Sequence, residues 1–240
     1  MKNLLFIMAV TFIFPSCSSG QFDIGKMRKE IDKTINHKSL SNQDVIDGLK
    51  QALSIGSENA SGSASKTDGY FKHPVIKIPF PPEAEKMESK LRSLGMDKQV
   101  NDFIMTMNRA AEEAAKQAAP IFVDAVKNMT ITDGMNILKG KDTAATGYLR
   151  QKTSLSLHDK FKPVIKDATQ KVDVTKYWNP LITTYNKIPF VDHLNPDLEE
   201  YITQRALGGL FYLVSQEEIK IRKDPAARVT DLLKKVFGSP

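Results

Sequence analysis

The sequence predicts an all-α fold, a multi-helix bundle of about eight to ten helices with short, extended, proline-rich connections. Apolar residues recur every three or four positions through most of the chain, which is the period of an amphipathic helix. No stretch of useful length shows the two-residue alternation of a half-buried strand. Capping residues, prolines and glycines flank most of the periodic segments, as they do at helix ends.

The first half of the sequence predicts five helices and one extended, proline-rich segment. LSNQDVIDGLKQALSIG forms a helix that Ser41 or Asn42 caps, and the small, polar SENASGSASKTDGY forms a frayed end or a loop. HPVIKIPFPP is extended because proline excludes the helical conformation for itself and its predecessor. PPEAEKMESKLRSLGM begins at its prolines and stops at Gly95. Three helices follow: Asp97 to Ala119, with a narrow alanine-rich stripe, then PIFVDAVKNM and TDGMNILKG.

The second half predicts three more short helices before a long one. DTAATGYLRQKT, SLSLHDKFKPVIKDATQ and VTKYWNPLITTYN are the short ones, and Asp142 is the expected N-cap of the first. The long helix begins after Asn195-Pro196, with acidic residues in its first turn and basic residues in its last. Asp224-Pro225 should cap a final helix with an apolar face made of Val229, Leu232, Leu233, Val236 and Phe237.

The N-terminus predicts export and lipid attachment. Residues 1–16 read as a signal peptide, with a lysine followed by a short apolar run. Phe14 to Cys17 resembles the lipobox of bacterial lipoproteins, and Cys17 is the only cysteine of the chain. Lipid attachment would explain an unpaired thiol in an exported protein. The alternative is a plain signal peptide followed by an incidental cysteine.

This interpretation defines three segments and a location. Residues 1–16 are the leader, residues 17–40 a lipidated N-terminus and flexible tether, and residues 41–240 a single all-helical domain. We expect a lipid anchor in the bacterial cell envelope, facing the periplasm from the inner leaflet of the outer membrane. The SSGQF that follows Cys17 lacks an acidic run typical of a surface-export signal, which favours the periplasmic face.

The charge composition does not predict a nucleic-acid-binding protein. Lys and Arg total 34 against 28 Asp and Glu, a formal net charge of +6. The basic residues are interspersed with acidic ones, which is typical of a solvated helical surface, and an exported lipoprotein does not routinely meet nucleic acid. The alternative is that the excess of positive charge attracts the protein to anionic lipid headgroups or to an acidic partner.

Linear motifs for catalysis, metals and nucleotides are missing from the sequence. The four histidines are far apart, and no two of them have the helical spacing of a metal site: His37, His73, His158 and His193. GMNILKGKDT has the wrong glycine spacing for a phosphate-binding loop and places Asp142 after the lysine. No Gly-x-Ser-x-Gly elbow occurs. No cofactor or metal is therefore expected. A catalytic triad assembled from distant residues would leave no linear motif, because such triads are recognised by geometry.

Four other features attract interest, each with an ordinary explanation. The only tryptophan, Trp178, is either core or part of a pocket mouth with Tyr185. Gly208-Gly209 within the long helix indicates close packing of another helix, or a ligand against bare backbone. Near the C-terminus, Glu218 and Arg222 are spaced to pair on a helix surface. The tetrapeptide KIPF occurs twice. The two copies are either extended segments that each place an Ile and a Phe in the core, or neighbours that together form one rim of a cleft. The candidate ligand or partner patch comprises Lys176, Tyr177, Trp178, Tyr185, Arg222 and Arg228.

Long strings of the sequence resemble one bacterial family. The strings are PIFVDAVKNMTITDGMNILKGKDTAATGYLRQKT, TKYWNPLITTYNKIPF and EEIKIRKDPAARVTDLLKKVFG. They are similar to the family described only as domain of unknown function 4197, over about Ser41 to Gly238. The resemblance implies a helical domain, usually behind an export or lipoprotein leader, with no established activity and no assigned catalytic or binding residues.

Three classes of function follow from these observations. The first is a non-catalytic, membrane-tethered binding or scaffold module, with a partner among envelope proteins or lipids. The second is a periplasmic carrier of lipid or a small apolar ligand, which needs an apolar cavity of roughly 300 Å³ or more. Residues expected to line such a cavity are Met107, Phe122, Trp178, Leu210 and Phe211. The third is an envelope hydrolase without a linear motif.

Overall fold

The computed structural model describes residues 41–171, 178–179, 182–183, 185–187 and 197–238. Within these ranges the chain is helical apart from turns and loops, and it forms no strand there. The predicted all-α class is therefore confirmed. The described residues belong to one compact unit, residues 40–240.

The helices whose bounds the structure describes are, in chain order, α1 (Asn42–Ala64), α2 (Glu85–Ser93), α3 (Asp97–Ala115), α4 (Ala118–Lys127), α5 (Ile131–Lys139), α6 (Ala144–Lys171), α7 (Leu198–Lys223) and α8 (Asp231–Gly238). Two short 3-10 turns lie at Pro82–Ala84 and Pro225–Ala227. Helix α7 packs against α6, α1 and α3, and α1 also packs against α4.

Helix α1 begins where the sequence predicted and ends later. The Ser41 hydroxyl accepts a hydrogen bond from the Asp44 amide at 3.1 Å, and the Ser41 amide donates to the Asp44 carboxylate at 3.0 Å. The expected frayed end or loop after Gly56 is wrong for residues 57–64, which stay helical. Four small residues there are buried, because a small-residue face lets other helices approach closely: Ser57, Ala60, Ser61 and Ala64.

The predicted stop of α2 and the predicted face of α3 are confirmed, whereas α2 begins at Glu85 and the expected proline start belongs to the 3-10 turn Pro82–Ala84. Gly95 adopts a positive φ of 78° just after α2, a conformation that glycine reaches without steric cost. The stripe predicted from Asp97 onward is buried at every position: Val100, Phe103, Met107, Ala111, Ala114 and Ala118. The helix ends at Ala115, earlier than the expected Ala119, so the last of these residues belongs to α4.

Helix α6 corrects the predicted number of helices. DTAATGYLRQKT and SLSLHDKFKPVIKDATQ were expected to be separate, but Ala144–Lys171 is one helix that contains Pro163. Its buried residues continue across the expected break, so one apolar stripe favours one helix: Leu149, Leu157, Phe161 and Ile165. The expected count was too high in this part of the chain. Part of VTKYWNPLITTYN lies outside the described residues, and its described positions 178–179, 182–183 and 185–186 are helical.

The C-terminal segment differs from the expected single capped helix. The Asp224 carboxylate accepts from the Ala226 amide at 2.9 Å and so caps the 3-10 turn, while α8 begins only at Asp231. Val229 precedes α8 and is 64% exposed, so it does not belong to an apolar face. Helix α8 packs against α1, where a Cβ at Gly48 would lie 2.8 Å from Val236 Cγ2.

Aromatic rings fill the centre of the bundle. Trp178 stacks on Phe103 with ring centroids 5.0 Å apart and lies 5.7 Å from Phe80. Phe122 meets Phe211 edge-on at 5.7 Å. The residues expected to line a carrier cavity instead pack within one core cluster: Met107, Phe122, Trp178, Leu210 and Phe211.

The adjacent glycines of α7 have opposite surroundings. A Cβ on Gly209 would lie 2.8 Å from Tyr70 Cε1 and 2.9 Å from Ile76 Cβ, so the close neighbour is the segment before α2, not another helix. A Cβ on Gly208 would meet nothing within 4 Å. Close packing therefore explains Gly209 and not Gly208, and the predicted neighbour, another helix, is wrong.

These surroundings predict stability changes of opposite sign. Gly209→Ala should lower the free energy of unfolding by about 1–3 kcal/mol because the added methyl overpacks the contact with Ile76. Gly208→Ala should raise it by up to about 1 kcal/mol, since alanine favours the helix and the site is open. Urea unfolding of both variants measures the difference. A change of the same sign in both would contradict this packing.

Candidate functional site

The charged and polar side chains of the described residues concentrate at four places: two buried carboxylate networks, a cluster at the surface and the walls of an open groove. The first network surrounds Glu218 of α7, whose side chain is 5% exposed. Its carboxylate accepts from the amides of Ala145 at 3.0 Å and Thr146 at 2.8 Å, and from the Thr146 hydroxyl at 2.8 Å. Glu218 therefore satisfies the N-terminal amides of α6. The expected N-cap, Asp142, instead pairs with Lys223 at 2.7 Å.

Arg222 completes this network and links it to α5. Its Nε and Nη2 donate to Glu218 Oε1 at 3.1 and 3.0 Å, and Nη2 also donates to the Ile137 carbonyl at 2.9 Å. The Glu218–Arg222 pair was predicted correctly, but its expected place on the helix surface is wrong, because the Arg222 side chain is only 14% exposed. A void of about 10 Å³ beside the pair has room for a water molecule and not for a larger ligand.

Arg228 folds back onto the end of α7. Its Nε donates to the Ile221 carbonyl at 3.2 Å and its Nη2 to the Arg222 carbonyl at 2.9 Å. Both acceptors belong to the last turn of the helix, whose carbonyls lack intrahelical partners. Arg222 and Arg228 therefore hold the C-terminal end of α7.

The second buried carboxylate, Glu112 of α3, was missed by the sequence analysis. Glu112 Oε1 accepts from the amides of Tyr70 at 3.1 Å and Phe71 at 3.2 Å, and Oε2 accepts from Arg109 at 2.6 Å. Arg109 also donates to Asp68 at 2.6 Å. Hydrogen bonds from Lys72 and then from Arg109 hold the pKa of the Asp68 carboxyl below its usual range. A glutamate among alanines on a buried stripe was the available signal.

A neighbouring residue of α3 docks the proline-rich segment. The Asn108 side chain accepts from the Ile78 amide at 2.8 Å and donates to the Ile78 carbonyl at 2.8 Å. Ile78 and Phe80 are buried, so the first KIPF copy enters the core. The second copy lies mostly outside the described residues.

A surface cluster joins α6 to the start of α7. The Glu200 carboxylate lies 2.8 Å from Lys162 Nζ and 3.0 Å from His158 Nε2, and it accepts from Gln204 at 2.7 Å. Hydrogen bonds from Lys162, then Gln204 and His158, lower the pKa of Glu200 to about 2. The carboxylate therefore stays ionised through mildly acidic pH and keeps its partners.

An open groove of about 450 Å³ runs between α4 and α6. Asp124 on α4 and Lys152 on α6 are exposed on its two walls. Neither side chain has an ion-pair partner within the described residues, and Lys152 Nζ lies 5.8 Å from the Tyr148 ring centroid. Burial, followed by the negative charge of Asp133, raises the pKa of Tyr148. The lining residues are Pro120, Ile121, Asp124, Ala125, Asn128, Tyr148, Lys152, Thr153 and Ser156.

The groove was also missed by the sequence analysis. Its two walls are separated in sequence by α5, and no spacing rule brings Asp124 and Lys152 together. The residues that the sequence analysis selected lie elsewhere. Trp178 and Tyr185 are 4% and 7% exposed and belong to the core. The remaining selected residues, Cys17, Lys176 and Tyr177, lie outside the described residues.

Within the described ranges the structure shows neither a cluster of metal ligands nor a membrane-spanning helix. No group of three or more histidine, cysteine or acidic side chains is arranged there to hold a metal ion. None of the helices in those ranges is long and apolar enough to cross a membrane.

Fold and polar networks together define the class: an all-helical domain whose buried carboxylates tie helix ends and loops to its core. Comparison with protein families makes the identification specific. The model of the family "Protein of unknown function (DUF4197)" matches residues 39–238, so the chain belongs to that family. No curated protein and no solved structure matches the chain.

Proposed function

We propose that this protein is a non-catalytic, membrane-tethered binding or scaffold module of the bacterial cell envelope. A lipid on Cys17 would hold it in the inner leaflet of the outer membrane, and residues 17–40 would act as a tether. The helical domain would then face the periplasm and bind an envelope partner.

The distribution of partnered and unpartnered polar groups carries this proposal. Glu112 and Glu218, the buried carboxylates, accept hydrogen bonds from backbone amides and from arginines, so they serve the framework. Asp124 and Lys152 instead are exposed on the walls of an open groove and have no ion-pair partner among the described residues. A rigid framework with free polar groups at its surface suits binding better than acid–base chemistry, which uses carboxylates with perturbed pKa in a cleft.

The lipid anchor predicts a change in cell fractionation. Cys17→Ser should move the protein from the membrane fraction to the soluble periplasmic fraction, because the acyl chains hold it at the bilayer. Labelled palmitate should be incorporated into the wild type and not into the variant. Ser18→Ala is the matched control and should stay in the membrane fraction. Membrane retention of Cys17→Ser would contradict the anchor.

The binding role is tested by photo-crosslinking in intact cells. A photoreactive amino acid at exposed Leu155 of α6, or at Val229 before α8, would sample two parts of the described surface. We expect a discrete adduct with an envelope component from at least one position in the anchored protein. No adduct from a full scan of exposed positions would overturn the proposed function.

A further inference from the structure

Two charged side chains of opposite sign, Asp124 and Lys152, lie on the walls of the α4–α6 groove and form no ion pair among the described residues. Hydrogen bonds from Thr130 and, less strongly, the charge of Lys152 lower the pKa of Asp133. Most other charged groups near helix interfaces have partners, as in the Glu112, Glu218 and Glu200 networks. Asp124 has only a long contact of 3.4 Å from Asn128 on its own helix. Lys152 contacts the Tyr148 ring and forms no ion pair among the described residues.

The lining between these charges is amphipathic. Ile121, Ala125 and Tyr148 are half-buried and provide apolar surface. Asn128 and Ser156 are exposed polar groups on opposite walls and can exchange hydrogen bonds with a backbone amide. A volume of about 450 Å³ falls in the range of small-ligand sites.

We propose that this groove binds a short peptide with free termini, its ammonium group on Asp124 and its carboxylate on Lys152. The inference rests on the proposed binding function and names the class of ligand. An extended peptide of two or three residues is about 7–11 Å long, comparable to the usual separation of about 8–10 Å between the axes of two packed helices, so its two termini can reach side chains on both walls. A single-charge ligand would leave one of the two side chains without a partner.

The experiment titrates the full chain, held in detergent micelles at low salt, with two probes. Trialanine with free termini carries both charges, and N-acetyl-trialanine amide carries neither. Calorimetry should detect binding of the free peptide and at least about tenfold weaker binding of the blocked one, since charge-assisted hydrogen bonds are lost. Equal binding of both probes would overturn the proposal.

Variants locate the binding in the groove. Lys152→Gln and Asp124→Asn should each weaken trialanine binding by about tenfold. Lys160→Gln, on the same helix and outside the groove, should leave it unchanged. The double exchange Asp124→Lys with Lys152→Asp should restore binding, with the peptide reversed. Equal effects of Lys160→Gln and Lys152→Gln would contradict the assignment.

The outcomes separate this inference from the proposed function. If trialanine does not bind while photo-crosslinking still gives a discrete envelope adduct, the peptide site is wrong and the binding module stands. If crosslinking gives no adduct from any exposed position, the binding module itself is overturned.

Discussion

Glu218→Ala is expected to lower the free energy of unfolding by about 3–5 kcal/mol, the usual cost of removing one partner from a buried ion pair. The substitution leaves Arg222 beside a cavity and leaves the amides of Ala145 and Thr146 without their acceptor. Thermal unfolding measures the effect, at about 2–4 °C per kcal/mol for a chain of this size.

The neighbouring Glu217 provides the matched control. Its side chain is 22% exposed, accepts from Asn59 at 3.0 Å and lies 3.9 Å from Lys220. Glu217→Ala should therefore cost about 1 kcal/mol or less. The double variant Glu218→Leu with Arg222→Met should be more stable than Glu218→Ala, because it removes both charges together. If Glu218→Ala lowered the free energy of unfolding by less than about 1 kcal/mol, the Glu218 network would not be needed for stability.

Glu112→Ala is expected to have the second largest effect and to act locally. It removes the acceptor of the Tyr70 and Phe71 amides and one of the two carboxylate partners of Arg109. Each buried amide left unpaired costs about 1–3 kcal/mol. Hydrogen exchange should accelerate at residues 70–78, while the exchange of α8 should change little.

Two further substitutions separate charge from hydrogen bonding. Glu112→Gln keeps one oxygen for both amides but loses the charge and the acceptor of the Arg109 hydrogen bond, so it should retain most of the protection of residues 70–78. Glu113→Ala removes the adjacent glutamate, which is 53% exposed and pairs with Lys116, and should have little effect. Equal destabilisation by Glu113→Ala and Glu112→Ala would contradict the assigned role.

Local signals were sufficient to predict several helix ends. Ser41 lies directly before the α1 apolar pattern, and Gly95 follows the α2 pattern. Local signals failed for residues 57–64, where polar composition suggested a loop and burial of small residues keeps the helix. They also failed at Asp142, because the acceptor for the first α6 amides comes from Glu218, 73 residues away in sequence.

The candidate site depends even more on tertiary structure than the fold does. The sequence analysis selected conspicuous residues, such as the only tryptophan, and Trp178 proved to stack on Phe103 in the core. Asp124 and Lys152 are ordinary in sequence. Their interest arises only because α4 packs against α6 and leaves both charges facing one groove.

The all-helical class could be predicted from the sequence because periodic apolar spacing and helix caps act within a few residues, and long strings of the sequence indicated the family. Only the packed structure shows which carboxylates are buried, which glycine is in close contact and where a groove forms. These properties depend on groups brought together from distant parts of the chain. Helix packing sets the distances between these groups and how far each is removed from water, and the local spacing of residues along the sequence determines neither.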